Sequence, residues 1–547
     1  MGKRTCHSLK TINALLFGIL VVTSTLSLLL LWAMCNQAEN GCFSNSRRTV
    51  FYSSSGANFD FSFKWKQFEN DNNNKHLAGS FQNPISEAAR KFGFVSTVAT
   101  SKVVIRENGK SFSNTPARSG SEILDEYSKK GAVLRKKFNC SKLFAHNDSE
   151  MEKVRQHHAR YNGTYTTITS ENAVRMLEDC NTFKKARGYG SDLNSDEEQD
   201  FPIAFIVLVH RDFEHLERLL RLVYRPQNIF CIHVDAKVDE SLKRAVASLA
   251  ECFPNVILAS KPQKIVYAHI SRLNADMICM KDLLAHGAPW KYLFNMAATE
   301  LPLRTNLEMV KILKTFHGLN DIRENYRHRM EKRFIWDFKV ENGAIKRADT
   351  KHPPPPHNLT ITKGMAYNSF SREFVEWALT DQRSKDLLAW SEATYSPDEH
   401  YWATLNNLFH NGFLQTPGGF YGHPESKGYV SRYISWQYED SLKKCQGRII
   451  RHICIFSAFD LHVLITMKQM AANKFDLTFD PIAYGCMEEQ IQRKTSTGKS
   501  LSLNTYENLF FVKFKPDLQT TKPQKSVVST TTRLTTSSTS RSRQKDS

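Results

Sequence analysis

The tightest constraint on this chain lies in residues 203–296, where buried-strand and amphipathic-helix patterns alternate. Ile203 to Val209 is an unbroken apolar run, as expected of a strand covered on both faces. Behind it, Phe213, Leu216, Leu219, Leu220 and Val223 recur at helical spacing, with Asp212 placed to cap that helix and Arg225-Pro226 to stop it. Ile229–Val234 reads as a second strand, Asp239 to Ala250 as helix and Val256–Ala259 as strand. Ala268 to Ala285 reads as a longer helix closed by His286-Gly287, and Tyr292–Met296 as a further strand. This alternation predicts an α/β fold with a mostly parallel central sheet and helices on its faces. Such sheets bind ligands beyond the carboxyl ends of their strands, which points to His210 and to Asp235-Ala236-Lys237. Neither turn carries G-x-G-x-x-G, so a mononucleotide or nucleotide sugar fits better than a dinucleotide.

The N-terminal flank has a different character. Lys3, Arg4 and Lys10 precede a charge-free run of 24 residues, Thr11 to Met34, long enough to cross a bilayer as a helix. Its length and its Trp32-Ala33-Met34 ending favour a retained anchor over a cleaved signal peptide. The preceding cations favour a cytoplasmic N-terminus. Residues beyond 35 are then expected in the secretory lumen under either alternative. Asn139, Asn147, Asn162 and Asn358 each open a glycosylation acceptor triplet, in agreement with that compartment. Cys140, Cys180, Cys231, Cys252, Cys279, Cys445, Cys454 and Cys486 form an even luminal set, which suggests disulfides. No paired C-x-x-C motifs occur, which argues against zinc.

The expected organisation is a cytoplasmic tail at 1–10, a transmembrane signal-anchor at 11–34 and a luminal stem at 35–130. A catalytic domain follows at 131–515, then a Ser/Thr-rich tail at 516–547 too polar to bury a core. The net charge of +19 comes without nucleic-acid-module spacings, so no nucleic-acid partner is expected.

Hydrolase and nucleotide-triphosphate signatures are missing: there is no G-x-S-x-G, no H-E-x-x-H and no Walker A loop. The D-x-D triplet by which many nucleotide-sugar transferases hold a metal is absent too. An enzyme of that kind would need fixed Lys and Arg side chains to neutralise a diphosphate. In Tyr395-Ser396-Pro397-Asp398-Glu399-His400, the pattern reads as a helix start, with Ser396 as cap, Pro397 in first position and acids in the first turn. On pattern alone Glu399 is a helix-dipole acid, while Arg451 and Lys474 are solvated surface cations.

Longer segments carry more. Val209-His210, Phe230-Cys231-Ile232-His233-Val234-Asp235, Val266-Tyr267-Ala268, Trp290-Lys291-Tyr292-Leu293, Tyr395–Thr404, Trp436-Gln437-Tyr438 and Ala472-Asn473-Lys474-Phe475-Asp476 stand in a fixed order. Together they resemble the core 2/I-branching β-1,6-N-acetylglucosaminyltransferases, glycosyltransferase family 14, over about half the chain. The resemblance implies a GT-A-type nucleotide-sugar-binding fold without a divalent metal or other cofactor. It implies Glu399 as general base, and Arg451 and Lys474 as the cations at the UDP diphosphate. Leu208, Val209, His210, Asp235, Ala236, Lys237 and Tyr267 match the nucleotide-sugar pocket. Arg333, Trp436 and Tyr438 match acceptor-binding positions, with Arg323, Glu324 and Arg329 as looser candidates. The implied disulfides are Cys140–Cys486, Cys180–Cys252, Cys231–Cys279 and Cys445–Cys454, and the family's usual unpaired cysteine stands here as Ala297.

The resemblance implies transfer of GlcNAc, or glucose, from a UDP-sugar to an O-glycosylated protein acceptor at the Golgi membrane. One departure bears on the donor. Where the family commonly has G-A-G-D-L, this chain has Ser457-Ala458-Phe459-Asp460-Leu461, and Phe459 is expected to reshape the donor pocket. Peptide O-xylosyltransferase and a catalytically silent glycan-binding membrane protein are the alternatives. The silent binder would have no need of Glu399, Arg451 and Lys474 together.

Overall fold

A computed structural model describes residues 118–161, 165–190, 195–438, 445–498 and 501–514, all within the compact unit Phe112–Ser547. The expected anchor, the stem up to residue 117, the acceptor Asn162 and the tail at 516–547 lie outside the described residues. Among the described residues no helix is long and apolar enough to cross a membrane. The boundary expected at residue 130 falls inside a helix, Gly120–Lys137, whose Ile123, Leu124 and Tyr127 are buried in the main core.

The strands in chain order are β1 (Ile203–Val209), β2 (Ile229–Val234), β3 (Val256–Leu258), β4 (Tyr292–Ala297), β5 (Glu300–Pro302) and β6 (Trp336–Glu341). They continue with β7 (Ala344–Lys351), β8 (Ser369–Ser371), β9 (Arg432–Ile434), β10 (Arg448–Ile450), β11 (Ile453–Ile455) and β12 (Ala471–Asn473). The central sheet has the order β3-β2-β1-β4-β8. Its first four strands are parallel and β8 is antiparallel to β4. Strand periodicity divides β1 between two cores. Phe205 and Val207 join the core that holds the helices Phe213–Val223 and Glu240–Glu251. Ala204 and Ile206 join the core that holds the helix Ser271–Ala285. Both faces are therefore apolar, which is why β1 reads as a continuous hydrophobic run.

Two local expectations fail for definable reasons. Asp212 does not cap its helix: it sits at φ 46° without a cap hydrogen bond. Its carboxylate accepts from the Thr167 hydroxyl at 3.2 Å and faces His215 Nδ1 at 3.4 Å instead. The helix expected from Ala268 begins at Ser271, because Ala268 has φ 61° and its carbonyl accepts from Ser396 N at 2.7 Å. Asp239 does cap, accepting from Leu242 N at 2.8 Å.

A second sheet, β5-β12-β9, is held by the fully buried pair Arg432 and Glu300 at 2.7 Å, with the Arg432 guanidinium 3.7 Å from the Phe294 ring centroid. Glu300 also accepts from Asn473 Nδ2 at 2.7 Å, which fixes the end of β12 immediately before Lys474. The four implied disulfides are the four observed. Cys140–Cys486 closes a separation of 346 residues, tying the first part of the domain to its last long helix, Pro481–Thr497.

Candidate active site

The residues singled out beyond the strands collect at the carboxyl ends of β1 and β2. Val209 O accepts from Asp235 N at 2.9 Å, which joins the two strand ends. Leu208 O accepts from Ala298 N at 3.1 Å, and Ala236 N donates to Gln263 O at 3.0 Å. The buried Asp235 carboxylate accepts from Lys237 N at 3.0 Å and Ile265 N at 3.3 Å, with Lys237 Nζ 3.5 Å away. This carboxylate thereby orders the loop that ends at Tyr267. The exposed Tyr267 ring lies under the Arg451 guanidinium at 4.7 Å.

Arg451 owes its position to a strained turn. It and His452 form the two-residue tip between β10 and β11, at φ 50° and 65°. Tight hairpins of this length want Asn or Gly where φ is positive, so Arg-His costs about 1–2 kcal/mol per residue. Cys445–Cys454 clamps the base of the same hairpin. Tyr438, exposed, packs on His452 at 4.8 Å between centroids. Trp436 is half-buried and bridges Ile453, so it is not the plain core residue its type suggests.

Lys474 follows β12. Partial burial and the cations Arg211 and Arg451 hold its ammonium below the usual lysine range. Desolvation, Arg211 and Lys474 likewise push His210 down. Asp476 offsets the cluster and is bonded to Arg211 at 3.0 Å. An anion arriving here would meet cations already oriented and partly desolvated.

Glu399 is positioned by a separate segment. Ser396 is left-handed at φ 50° and makes no cap bond, and Pro397–Glu399 is a single 3-10 turn. The helix-start reading of this segment is therefore wrong: the turn presents Glu399 sideways to two cations. Arg333 and Lys363 both reach its Oε2, Lys363 at 3.1 Å. Burial pulls this carboxyl upward, but Lys363 and then Arg333 outweigh it and hold it below the ordinary glutamate range. Asp398 moves the opposite way. Burial raises it and Glu399 adds to the effect, against Arg272 at 3.6 Å. The Tyr267 phenol, raised mainly by burial, also feels Glu399 and Arg451, so it stands within electrostatic reach of both.

Of the looser candidates, Glu324 is buried and bonded to Asn406, and desolvation pushes it up to about 7. Arg329 pairs with Glu331. The Phe459 ring meets His158 at 5.9 Å and Arg155 at 5.8 Å, on the helix Asp148–Tyr161. Asn139, Asn147 and Asn358 are exposed. Sequence reasoning missed Lys363 and Arg211. Arg211 could have been noticed beside His210 at a strand end, whereas no local pattern marks Lys363.

The Core-2/I-Branching enzyme family model matches residues 203–465. The chain is 39% identical over 347 residues to the Homo sapiens beta-1,3-galactosyl-O-glycosyl-glycoprotein beta-1,6-N-acetylglucosaminyltransferase 3, covering 61% of this chain and 78% of that protein. Identity is 37% over 372 residues to a second Homo sapiens beta-1,3-galactosyl-O-glycosyl-glycoprotein beta-1,6-N-acetylglucosaminyltransferase, 65% of this chain and 85% of that one. A Bovine herpesvirus 4 protein of the same name is 36% identical over 379 residues, covering 67% and 85%. The chain is thus a glycosyltransferase. It belongs to the Core-2/I-Branching enzyme family.

Proposed function

We propose that this enzyme has a GT-A-type fold and transfers GlcNAc from UDP-GlcNAc to the 6-hydroxyl of a galactose- and GalNAc-containing O-glycan on a protein, with UDP-glucose as the alternative donor. Glu399 takes the acceptor proton as the acceptor oxygen attacks the anomeric carbon, and UDP leaves from the opposite face. One displacement inverts the configuration. Arg451 and Lys474 stabilise the departing diphosphate without a divalent metal. Asp235 meets the nucleoside, while Trp436 and Tyr438 offer ring faces to the acceptor sugar. An anchor at 11–34 holds the enzyme as a type II protein in the Golgi membrane, with the catalytic part in the lumen.

The observation that supports this most is Tyr267, whose ring lies under Arg451 and whose phenol feels Glu399. An inverting transfer requires a base and a leaving-group clamp near one substrate, and Tyr267 links the two groups proposed for those roles. The names of the relatives supply the linkage and the acceptor class.

The test is a donor panel on the full-length chain, with UDP-GlcNAc, UDP-glucose and UDP-xylose in the presence of EDTA. Transfer from UDP-GlcNAc to a galactosyl-GalNAc acceptor is the expected result. A strict manganese requirement ends the metal-free mechanism, and exclusive use of UDP-xylose on peptide replaces the reaction.

A further inference from the structure

Glu399 carries more positive charge than neutralisation requires. Arg333 alone would balance it, yet Lys363 reaches the same oxygen, Oε2, at 3.1 Å. Among the described residues Oε1 has no hydrogen-bond partner, while the side chain remains partly exposed. The two cations come from separate segments. Arg333 ends the short turn Glu331–Arg333 and lies over the Tyr395 ring at 5.4 Å, while its carbonyl accepts from Tyr395 N at 2.8 Å.

Lys363 is fixed by its backbone. It exchanges hydrogen bonds with Asn325 in both directions, N to O at 3.1 Å and O to N at 2.7 Å. Its Nζ also donates to Gly364 O at 2.5 Å. The next peptide locks onto the catalytic turn, with Gly364 N donating to Glu399 O at 2.5 Å. A Cβ at position 364 would fall 2.6 Å from Ala403 Cβ and 2.7 Å from Arg323 O, so only glycine permits this approach. The lysine backbone and the Glu399 backbone are thus one rigid unit. Burying a lysine ammonium is unfavourable, and here desolvation does pull Lys363 down. A feature that costs stability at this point needs a use there.

We propose that Lys363 is a positioning residue for the base: with Arg333 it pins Oε2 of Glu399 and turns Oε1 toward the acceptor hydroxyl. This rests on Glu399 being the base. A carboxylate held at one oxygen loses rotational freedom and offers its second oxygen in a fixed direction, which is the geometric requirement for proton removal. The other groups facing Glu399 do not substitute for the lysine. Asp398 is buried and turned to Arg272 at 3.6 Å. His400 is buried; desolvation, then Arg333, pushes it down to about 3, so it stays neutral. Tyr267 and Tyr395 present phenols, and the Arg323 cation acts on Lys363.

The sign of the pH effect follows. Lys363 is the largest influence lowering Glu399, so its removal raises the base's pKa and moves the acid limb of the rate profile to higher pH. The experiment measures kcat against pH with saturating UDP-GlcNAc and a galactosyl-GalNAc acceptor, on full-length wild type, K363M, K363R and E399Q. For K363M the expected results are an acid limb at higher pH and a lower kcat with donor KM unchanged. K363R should restore the limb, and E399Q should be inactive throughout. If K363M does not fold, K363Q gives the same comparison. An unmoved acid limb in the lysine variants, with E399Q inactive, overturns the positioning role and leaves the base intact. Turnover by E399Q overturns the base itself.

Discussion

Two regions of this enzyme use the same arginines and glutamates with different arithmetic. Behind the sheet, Arg187 meets Glu217 at 2.9 Å, Arg218 meets Glu488 and, at 3.1 Å, Glu214, and Arg221 meets Glu488 at 2.8 Å. Three arginines face three glutamates, and all six side chains are buried or nearly so. At the strand ends, Arg211, Arg448, Arg451 and Lys474 lie together, and Asp476 is the carboxylate that offsets Lys474, already bonded to Arg211. A balanced network holds helices together, whereas an unbalanced one awaits an anion. Charge type in the sequence does not separate the two, but partner number in the fold does.

The sharpest way to break that contrast is Glu488→Ala. It would leave Arg218 and Arg221 without their shared partner in a buried setting, and about 3–5 kcal/mol of stability should be lost. Chemical denaturation measures it. A loss below 1 kcal/mol would mean that the rear network is as solvated as a surface pair. Acid should expose the same pair. Burial would raise Glu488, but Arg218 and Arg221 hold it at about 2. Its contribution is present above the ordinary glutamate range and disappears as pH falls toward 2.

Front-side substitutions should do the reverse. Arg451→Ala and Lys474→Ala are each expected to lower kcat/KM for the UDP-sugar by about 10²–10³-fold, the range for removing one oriented electrostatic group. Their melting temperatures should stay near wild type, because neither side chain makes an ion pair among the described residues. Calorimetry with UDP separates binding from chemistry, and unchanged UDP affinity in both variants would remove the diphosphate assignment. A smaller effect, about 2–3 kcal/mol, is expected from replacing Cys445 and Cys454 together by serine, since that bond closes a short loop of separation 9. The strained Arg451-His452 tip should then relax, raising KM for the donor in parallel with the stability loss.

What could be read from the sequence follows the range of the interactions involved. β1, β2 and the helix Phe213–Val223 were legible because burial and period are local. His210 and Asp235 were legible from the rule that parallel sheets bind ligands at their carboxyl ends. The β10–β11 hairpin was not, since Arg451-His452 lacks the Asn-Gly signature of a turn with positive φ. Ser396-Pro397-Asp398-Glu399 misled for a similar reason. Cap chemistry is a local preference, and Ala268 O, bonded to Ser396 N, overrides it from a distant part of the chain. Lys363 illustrates the hardest case. Its partner lies 36 positions away, and neither its neighbours nor its periodicity distinguishes it from a surface lysine. The resemblance carried Glu399, Arg451 and Lys474, which composition alone leaves anonymous.

The smallest expected effect tests whether a further charge pair of the scaffold titrates separately from the site. His158 Nε2 lies 3.4 Å from Asp480, a buried carboxylate that also accepts from Ala458 N at 2.7 Å and caps the helix Pro481–Thr497. The Asp480 interaction, stronger than the opposing desolvation, raises His158 above its ordinary value. A histidine raised on folding contributes stability that is complete below its unfolded pKa and is lost as pH rises through the folded one. The stability of wild type should therefore decline across that window above the ordinary histidine range, and His158→Gln should flatten the decline. Transfer rate should not follow, because Glu399 is ionised throughout that window and His158 packs on Phe459 rather than on the cation cluster. If the rate and the melting temperature move together through it, the charges on the two sides of the domain are coupled, and the division between a balanced scaffold and an unbalanced site does not hold.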